Sequence, residues 1–559
     1  MMRWIYLLVA FFSFGFESLF AQDLSGGGIP IGKVTGVFQI DAVGYLKDTL
    51  IRTPVTEDKL RMNAYGLIQY NNGPFTAGIR YEAYLPTPLL GIDPQYKGSG
   101  IANRFLSFNT KKVSVTVGNF YEQFGFGMTL RAWWQPLLGY DNSIDGVRLQ
   151  VNPYRGVQVK TVFGRQRLFW NPSEGVVRGA DVDLDLNQIL DTLWKSPLQV
   201  NFGGSFVSRF QPIKEQPFDQ YIYKIPQNVG CWSARTSIIY KKWFLKGEFA
   251  YKFNDPTGVN QRIYRHGEGL YIATGYSKKG FGLNLEAKRI VNMDYRSEIN
   301  QTGQNVQVNF IPPIAKQHTY RLPTLYIYAT QPLGEMGIQA DVFYKFKKGS
   351  LLGGKYGTTV NLNYARIHAP ETVIRTDDIG YDAPFFGVGK RLYYSDFNVE
   401  VQKKLSDKWK MNLMYIHIDY DKDVILGLQG YGMIQVNAAI ADFTLQINEK
   451  HSLRMEGQWM KAAQPNEHKV KDFGDWAMLM LEYNISPHWS FVLWDEYNYG
   501  NPDISRRLHY YSGMIVYVIE STRISFSYGR MREGLNCAGG VCRPIPAMNG
   551  FFLSVSSTF

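Results

Sequence analysis

The sequence predicts an all-β fold, a transmembrane antiparallel up-and-down β-barrel. Three observations predict it. Short segments alternate apolar and polar residues along most of the 559-residue chain, their connections alternate between tight turns and long polar loops, and the chain stops on a phenylalanine closing a half-apolar strand, Gly550 to Phe559. In that strand Phe551, Leu553, Val555 and Phe559 share one face, while Phe552, Ser554, Ser556 and Thr558 share the other, because extended side chains alternate with period two.

At the N-terminus a single arginine, an apolar run from Trp4 to Phe16 and Leu19-Phe20-Ala21 before Gln22 form a secretory signal peptide, residues 1–21, cleaved after Ala21. Residues 22–33 are expected as a short periplasmic segment and 34–559 as the barrel. No later apolar run reaches the roughly 18 residues that a transmembrane helix needs. The composition fits strands rather than helices: 54 glycines, 37 tyrosines and 35 phenylalanines, with a mean hydropathy of −0.22. Tyrosine and phenylalanine favour strands and membrane interfaces, and glycine marks turns. The net charge of +12 is scattered along the chain, with no basic run of the kind that binds nucleic acid.

The clearest strand is Phe75 to Leu85. Phe75, Ala77, Ile79, Tyr81 and Ala83 share one face; Thr76, Gly78, Arg80, Glu82 and Tyr84 share the other. A barrel turns the first face to lipid and the second to its lumen. The same alternation assigns Lys160, Lys246, Glu248, Glu286, Lys288, Glu400, Arg454 and Glu456 to the lumen. Asp181, Asp183 and Asp185 form a row of carboxylates about 7 Å apart on one strand. The row is expected to face Lys160 or Arg209 on adjoining strands; a cation-attracting constriction ladder is its alternative.

Such segments number twenty-five, which cannot be right if both ends lie in the periplasm, since the count must then be even. The phases of the short turns, followed from the two ends, collide between residues 319 and 395. Either a strand hides in 368–390 or one counted there is false, and Pro323 weakens 319–330 because a ladder cannot use its missing N–H. The expectation is 26 strands, with 24 next.

Cys537 and Cys542 bracket four residues in the last long loop. An exported chain and a short glycine-containing spacer favour a disulfide, and two thiolates without a histidine make a poor zinc site. Cys231 is expected to be unpaired near a strand start. Trp133, Trp134, Phe124 and Phe126 gather in the connection 120–140. Such clusters form an interface girdle or, less often, fold inward to stack on ring-bearing ligands. Gly349 to Tyr356 falls one residue short of a phosphate-binding loop and is followed by a strand pattern, no histidine pair has metal-ligand spacing, and no nucleophile elbow occurs. Neither a reaction, a metal nor a cofactor is expected.

The terminal strand resembles the last strand of Gram-negative outer-membrane barrels, in which Phe551, Leu553, Val555 and Phe559 would serve as the signal read by the assembly machinery. Three segments, Gly118 to Gly125, Asp141 to Gly146, and the tail from Cys537 to Phe559, resemble an uncharacterised outer-membrane barrel family of Bacteroidota, a domain of unknown function. The resemblance implies a porin-sized barrel and brings no assigned substrate. The expected function is a porin-like channel or solute-binding barrel in the outer membrane of a Gram-negative bacterium. A barrel for secretion or surface assembly is the alternative, and a membrane-embedded hydrolase a weaker third. The expected partners are outer-membrane lipid and lipopolysaccharide, the assembly machinery, and a small solute or surface partner.

Overall fold

The structure, a computed structural model, describes residues 32–190, 196–213, 216–218, 221–375, 379–465, 468–538 and 540–559. The expected signal peptide, and all but the end of the segment 22–33, lie outside the described residues. The first twelve barrel strands are β1 (Lys33–Tyr45), β2 (Leu60–Asn72), β3 (Phe75–Leu85), β4 (Gly98–Asn109), β5 (Val113–Phe120), β6 (Ile144–Tyr154), β7 (Val157–Leu168), β8 (Asn171–Asp185), β9 (Leu198–Phe210), β10 (Asn228–Tyr240), β11 (Trp243–Lys252) and β12 (Gly267–Lys278). The remaining twelve are β13 (Phe281–Val291), β14 (Gly334–Phe346), β15 (Thr358–Pro370), β16 (Val388–Lys404), β17 (Trp409–Asp421), β18 (Met433–Gln446), β19 (His451–Ala463), β20 (Trp476–Ile485), β21 (Trp489–Tyr497), β22 (His509–Ile519), β23 (Thr522–Met531) and β24 (Met548–Thr558).

Each strand pairs antiparallel with the next in sequence, and β24 pairs back onto β1, from Val37 opposite Thr558 to Tyr45 opposite Gly550. Among the described residues the sheet is therefore a closed ring of 24 strands, which corrects the expected 26. The region 319–330 contains no barrel strand: it winds through a 3-10 turn, Pro323–Tyr326, with Pro323 in the first turn, where no N–H is required. Among the described residues of 368–390, a ribbon, Val373–Ile374 against Tyr381–Asp382, stands between the ends of β15 and β16, and no further barrel strand. Leu322, Leu325 and Tyr326 are buried inside the barrel. The strand-like apolar pattern there answers to interior packing rather than to a ladder.

The ring closes on the last residue. Gly36 N donates to the carbonyl of Phe559 at 2.9 Å, and Phe559 N donates back to Gly36 at 3.0 Å. The Phe559 ring lies against Gly36 so closely that a Cβ there would stand 2.2 Å from it. Covering a strand glycine with a neighbour's aromatic ring protects backbone that would otherwise be bare.

Outward positions carry Ile68, Ile79, Leu106, Phe163, Phe206, Ile338, Leu413, Leu479, Leu493 and Ile515, all exposed. Ring pairs gather outside near the tight turns, Phe75–Phe108 at 5.1 Å, Trp243–Tyr276 at 4.7 Å and Trp489–Tyr517 at 4.5 Å. An apolar band edged by aromatic rings is the surface a bilayer requires. One end of the ring, the turn end, carries most of the tight connections; the other, the loop end, carries most of the long ones. One connection at the loop end is tight: β7 and β8 run on to Leu168 and Asn171, with only two residues between them.

Candidate functional site

Two connections from the loop end fold into the ring rather than over it. One is 121–143, between β5 and β6; the other is 292–333, between β13 and β14. Phe124, Met128 and Leu130 of the first pack in one apolar cluster with Val308 and Ile311 of the second, against inward Val162, Val207 and Ala250. Ile314, Leu322 and Tyr326 of the second pack in another with inward Ile416, Ile418, Ile434 and Val436 of β17 and β18.

The two connections also bond to each other. Arg131 N donates to Val308 O at 2.8 Å, and Phe310 N donates to Gly127 O at 2.8 Å. Asn142 Nδ2 bridges them, donating to Arg131 O at 3.0 Å and to Gln307 O at 2.8 Å. The Arg131 guanidinium lies 3.9 Å from the centre of the Phe310 ring. Together they form a partition across the interior, nearer the loop end. The aromatic connection expected as an interface girdle is thus turned inward: Trp134 lies under the Arg80 guanidinium at 4.0 Å, and Phe126 meets Tyr271 at 5.1 Å.

Charged side chains of the wall hold the partition. Asp141 accepts from Arg167 Nη1 at 2.7 Å, from Tyr121 Oη at 3.1 Å, from Ser143 N at 2.9 Å, and also from Arg80. Glu82 completes the group, with Arg80 at 2.8 Å and Arg167 at 2.7 Å. Burial pushes the Asp141 carboxyl up, but Arg80 and Arg167 beside it hold it below its ordinary 3.8. Glu122 takes Lys160 at 3.1 Å and Arg148. Glu248 accepts from Phe126 N at 2.6 Å, an approach that needs Gly125, whose φ is +52 and whose Cβ would sit 2.4 Å from the Glu248 carboxylate.

The second connection is held as densely. His318 meets Asp396 at 2.7 Å, and Leu322 N donates to Gln458 at 2.9 Å. Lys288 Nζ donates to Pro312 O at 2.5 Å and pairs with Glu335, which also accepts from Tyr328. Glu496 is shared by Arg321 at 2.6 Å and Arg532 at 2.6 Å. Buried ion pairs add little net stability but penalise any other arrangement, because undocking strands a charge.

Of the thirteen charged residues assigned to the lumen, twelve lie on the inward side of the register in two groups, and Asp185 ends its strand as a helix cap. Arg80, Glu82, Asp181, Glu248, Lys288 and Glu456 are buried, at 4% exposure or less. Lys160, Asp183, Lys246, Glu286, Glu400 and Arg454 are half-buried on the inward face, nearer the turn end. Gln69, Thr76, Gln150, Asn284, Asn361, Asn412 and Asn484 share that inward face toward the turn end. Here Arg454 gathers Asp442 at 2.9 Å, Glu482 at 3.4 Å and Glu456. Glu400 accepts from Asn412 at 2.9 Å, and Glu286 from Asn284 at 2.7 Å.

The aspartate row has a different partner from either expected. Arg235, two strands away, takes Asp181 at 2.7 Å and Asp183 at 2.6 Å. Lys160 is engaged by Glu122, and Arg209 by Asp255 at 2.8 Å. Asp185 leaves the row to cap the short helix Leu186–Ile189, accepting from Asn187 N and Gln188 N. Cys537 and Cys542 are joined, their sulfurs 2.09 Å apart, in a ribbon whose Gly540 O accepts from Thr330 N of the partition at 3.1 Å. Cys231 is free and buried, at the start of β10. In the terminal strand Phe551, Leu553 and Phe559 are exposed on the outer wall and Val555 is buried between its neighbours.

The sequence reading missed the residues of the partition itself, Glu122, Asp141, Asn142, His318 and Arg321, and their wall partners Arg167, Asp396, Glu496 and Arg532. Two signals pointed at them: Gly118–Gly125 and Asp141–Gly146 flank the first infolded connection.

The whole chain, residues 1–559, matches a family of unknown function (DUF6029). No curated protein matches it. Solved structures similar to it include the siderophore receptor PirA of Pseudomonas aeruginosa, at 9% identity and a TM-score of 0.41, covering 95% of this chain and 81% of that one. The translocation pore of the P pilus usher PapC is similar at 10% identity and a TM-score of 0.40, covering 94% and 99%. OccAB3 of Acinetobacter baumannii is similar at 9% identity and a TM-score of 0.33, covering 94% and 99%.

Proposed function

We propose that this chain, which belongs to the DUF6029 family of unknown function, is an outer-membrane barrel that binds and passes a small polar solute through a gated interior. The observation that carries this is the reversal of polarity across one wall: apolar outside, polar and charged inside, with the interior divided by the chain's own loops. An open porin needs no such partition, and a barrel with a purely structural role needs no half-buried inward charges of both signs beneath one. Charges of both signs at neighbouring positions give weak ion selectivity. The reading has the long loops facing outward from a Gram-negative cell. It requires outer-membrane lipid and lipopolysaccharide around the band and the assembly machinery at the terminal strand. It assigns the chain no reaction. By the resemblance of its three segments the source is a member of the Bacteroidota.

The test is conductance in planar bilayers. The native protein is expected to show small, weakly selective currents, and a variant with residues 296–327 replaced by a short Gly-Ser linker markedly larger ones. If both insert correctly and stay silent, the transport reading fails. The second reading, a barrel that docks a surface or secretion partner, then takes its place. Ile374 at 79% exposure and Phe386 at 86%, both on the connection after β15, favour that alternative.

A further inference from the structure

A cleft of about 290 Å³ opens at the loop end, directly on the partition. Leu325 of the 3-10 turn forms its floor, Trp476 of β20 and Tyr510 of β22 a wall, and Arg52 and Arg506 stand among its lining. The Trp476 and Tyr510 rings lie 5.7 Å apart. The volume sits at the small end of ligand pockets, roughly 300–1,000 Å³.

The chemistry of the lining is unbalanced. Its body is apolar and aromatic, while its polar groups are mostly donors. Arg52 is exposed. Among the described residues the Arg506 side chain is held only by an exposed contact with Asp503 at 3.6 Å, leaving most of its fork available. Trp476 is 2% exposed, and its Nε1 has no hydrogen-bond partner among the described residues. A buried donor left unpaired is costly, so that N–H calls for an acceptor. The one carboxylate of the lining, Glu533, is exposed. Arg532 is already committed, donating to Glu496 at 2.6 Å and to Arg321 O at 2.6 Å. It therefore ties the cleft to the partition rather than reading a ligand.

We propose that this cleft binds a small amphipathic organic anion, a carboxylate carried on an aromatic or branched apolar body. Arg52 and Arg506 take the carboxylate at the mouth, Trp476 Nε1 donates to a second acceptor deeper in, and Leu325 underlies the apolar body. The proposal deepens the reading of the barrel as a solute-binding transporter and rests on it. An occupant of the cleft rests on the turn that Arg321 and Arg532 secure, so binding is sensed where the partition meets the wall.

The test is calorimetric titration of the full-length protein in detergent with 4-hydroxyphenylacetate, and with its neutral amide, 4-hydroxyphenylacetamide, as control. Saturable binding of the acid is expected, with the amide at least about tenfold weaker, the loss of one charge-assisted contact. Arg52→Ala and Arg506→Ala together should remove that preference. Trp476→Phe should weaken acid and amide alike. If Trp476→Phe does not fold, the two arginines carry the test alone. Equal affinity for acid and amide, no saturable binding of the acid, or an unchanged preference in the double arginine variant overturns the proposal. Bilayer conductance of the same preparation separates the two claims. Normal currents without acid binding remove this site alone; silent barrels that bind the acid remove the transport reading and support the site.

Discussion

Replacing Asp141 with alanine takes away the hub of the first infolded connection and nothing from the barrel ladder. Asp141 accepts from Arg80 and Arg167, whose side chains are 3% and 5% exposed, and from Tyr121 and Ser143. After Asp141→Ala both guanidiniums stay buried with Glu82 as their remaining carboxylate. Removing one member of a buried charged pair costs about 3–5 kcal/mol. Since Glu82 still serves both arginines, the low end applies, about 3 kcal/mol. That cost falls on docking of 121–143 and not on the ring, because Asp141 lies outside every barrel strand. At 1.4 kcal/mol per factor of ten, the undocked population rises on the order of a hundredfold. Single-channel recordings should show far more frequent large openings, while heat-modifiable mobility on gels stays native. Openings as rare as in the native protein, from a variant that inserts normally, would refute the assignment of this network as the fastening of the partition.

The same network sets a pH dependence. The Asp141 carboxyl is depressed in the folded protein below 3.8, so its contribution is fully present above that value and is lost as the pH falls through the folded value. Channel openings should therefore be insensitive to this group between pH 8 and 5 and become frequent only below about pH 4. Deleting Phe559 removes the two main-chain bonds to Gly36 and the ring over it, so folded, heat-modifiable protein should fall sharply. Normal yield of the deletion would contradict the closure described. Gly36→Ala should impair assembly too, because its new methyl meets the Phe559 ring. Mass spectrometry under non-reducing conditions should recover Cys537 and Cys542 in one linked peptide, with Cys231 protected from alkylation until the protein is denatured.

Alternation alone located most of the wall. Arg80 and Glu82, Lys246 and Glu248, Arg454 and Glu456 face inward because period two leaves them no other side once Phe75, Trp243 or Leu453 is turned outward. What alternation does not carry is what stands on the far side of an inward residue. Arg80 at the wall of a wet lumen and Arg80 over the Trp134 ring have the same sequence neighbours; the difference lies 61 positions away at Asp141. The false strand at 319–330 has the same origin. Tyr320, Leu322, Leu325 and Tyr326 read as a ladder segment because they too meet apolar neighbours, but those neighbours are side chains inside the ring. One signal was present in the sequence. In β17 and β18 the inward residues Met414, Ile416 and Ile418, and Ile434, Val436 and Ala438, are apolar, while the outward residues beside them, His417, Asp419, Gln435 and Asn437, are polar; an apolar inward face needs something to pack against. Those runs mark where the second connection docks.

The partition is made of two leaves rather than one body. Each is fastened to the wall at both of its chain ends, the first by β5 and β6, the second by β13 and β14, and they meet along a seam of a few hydrogen bonds around Arg131, Asn142 and Val308. A stopper drawn from one piece has to leave the bore to clear it. Leaves hinged eight strands apart in a ring of 24 need only part along the seam, and neither can be lost. The aperture is then bounded by how far each leaf can swing on its own tethers, so under the proposed transport role a limit on solute size is written into the lengths of the two connections.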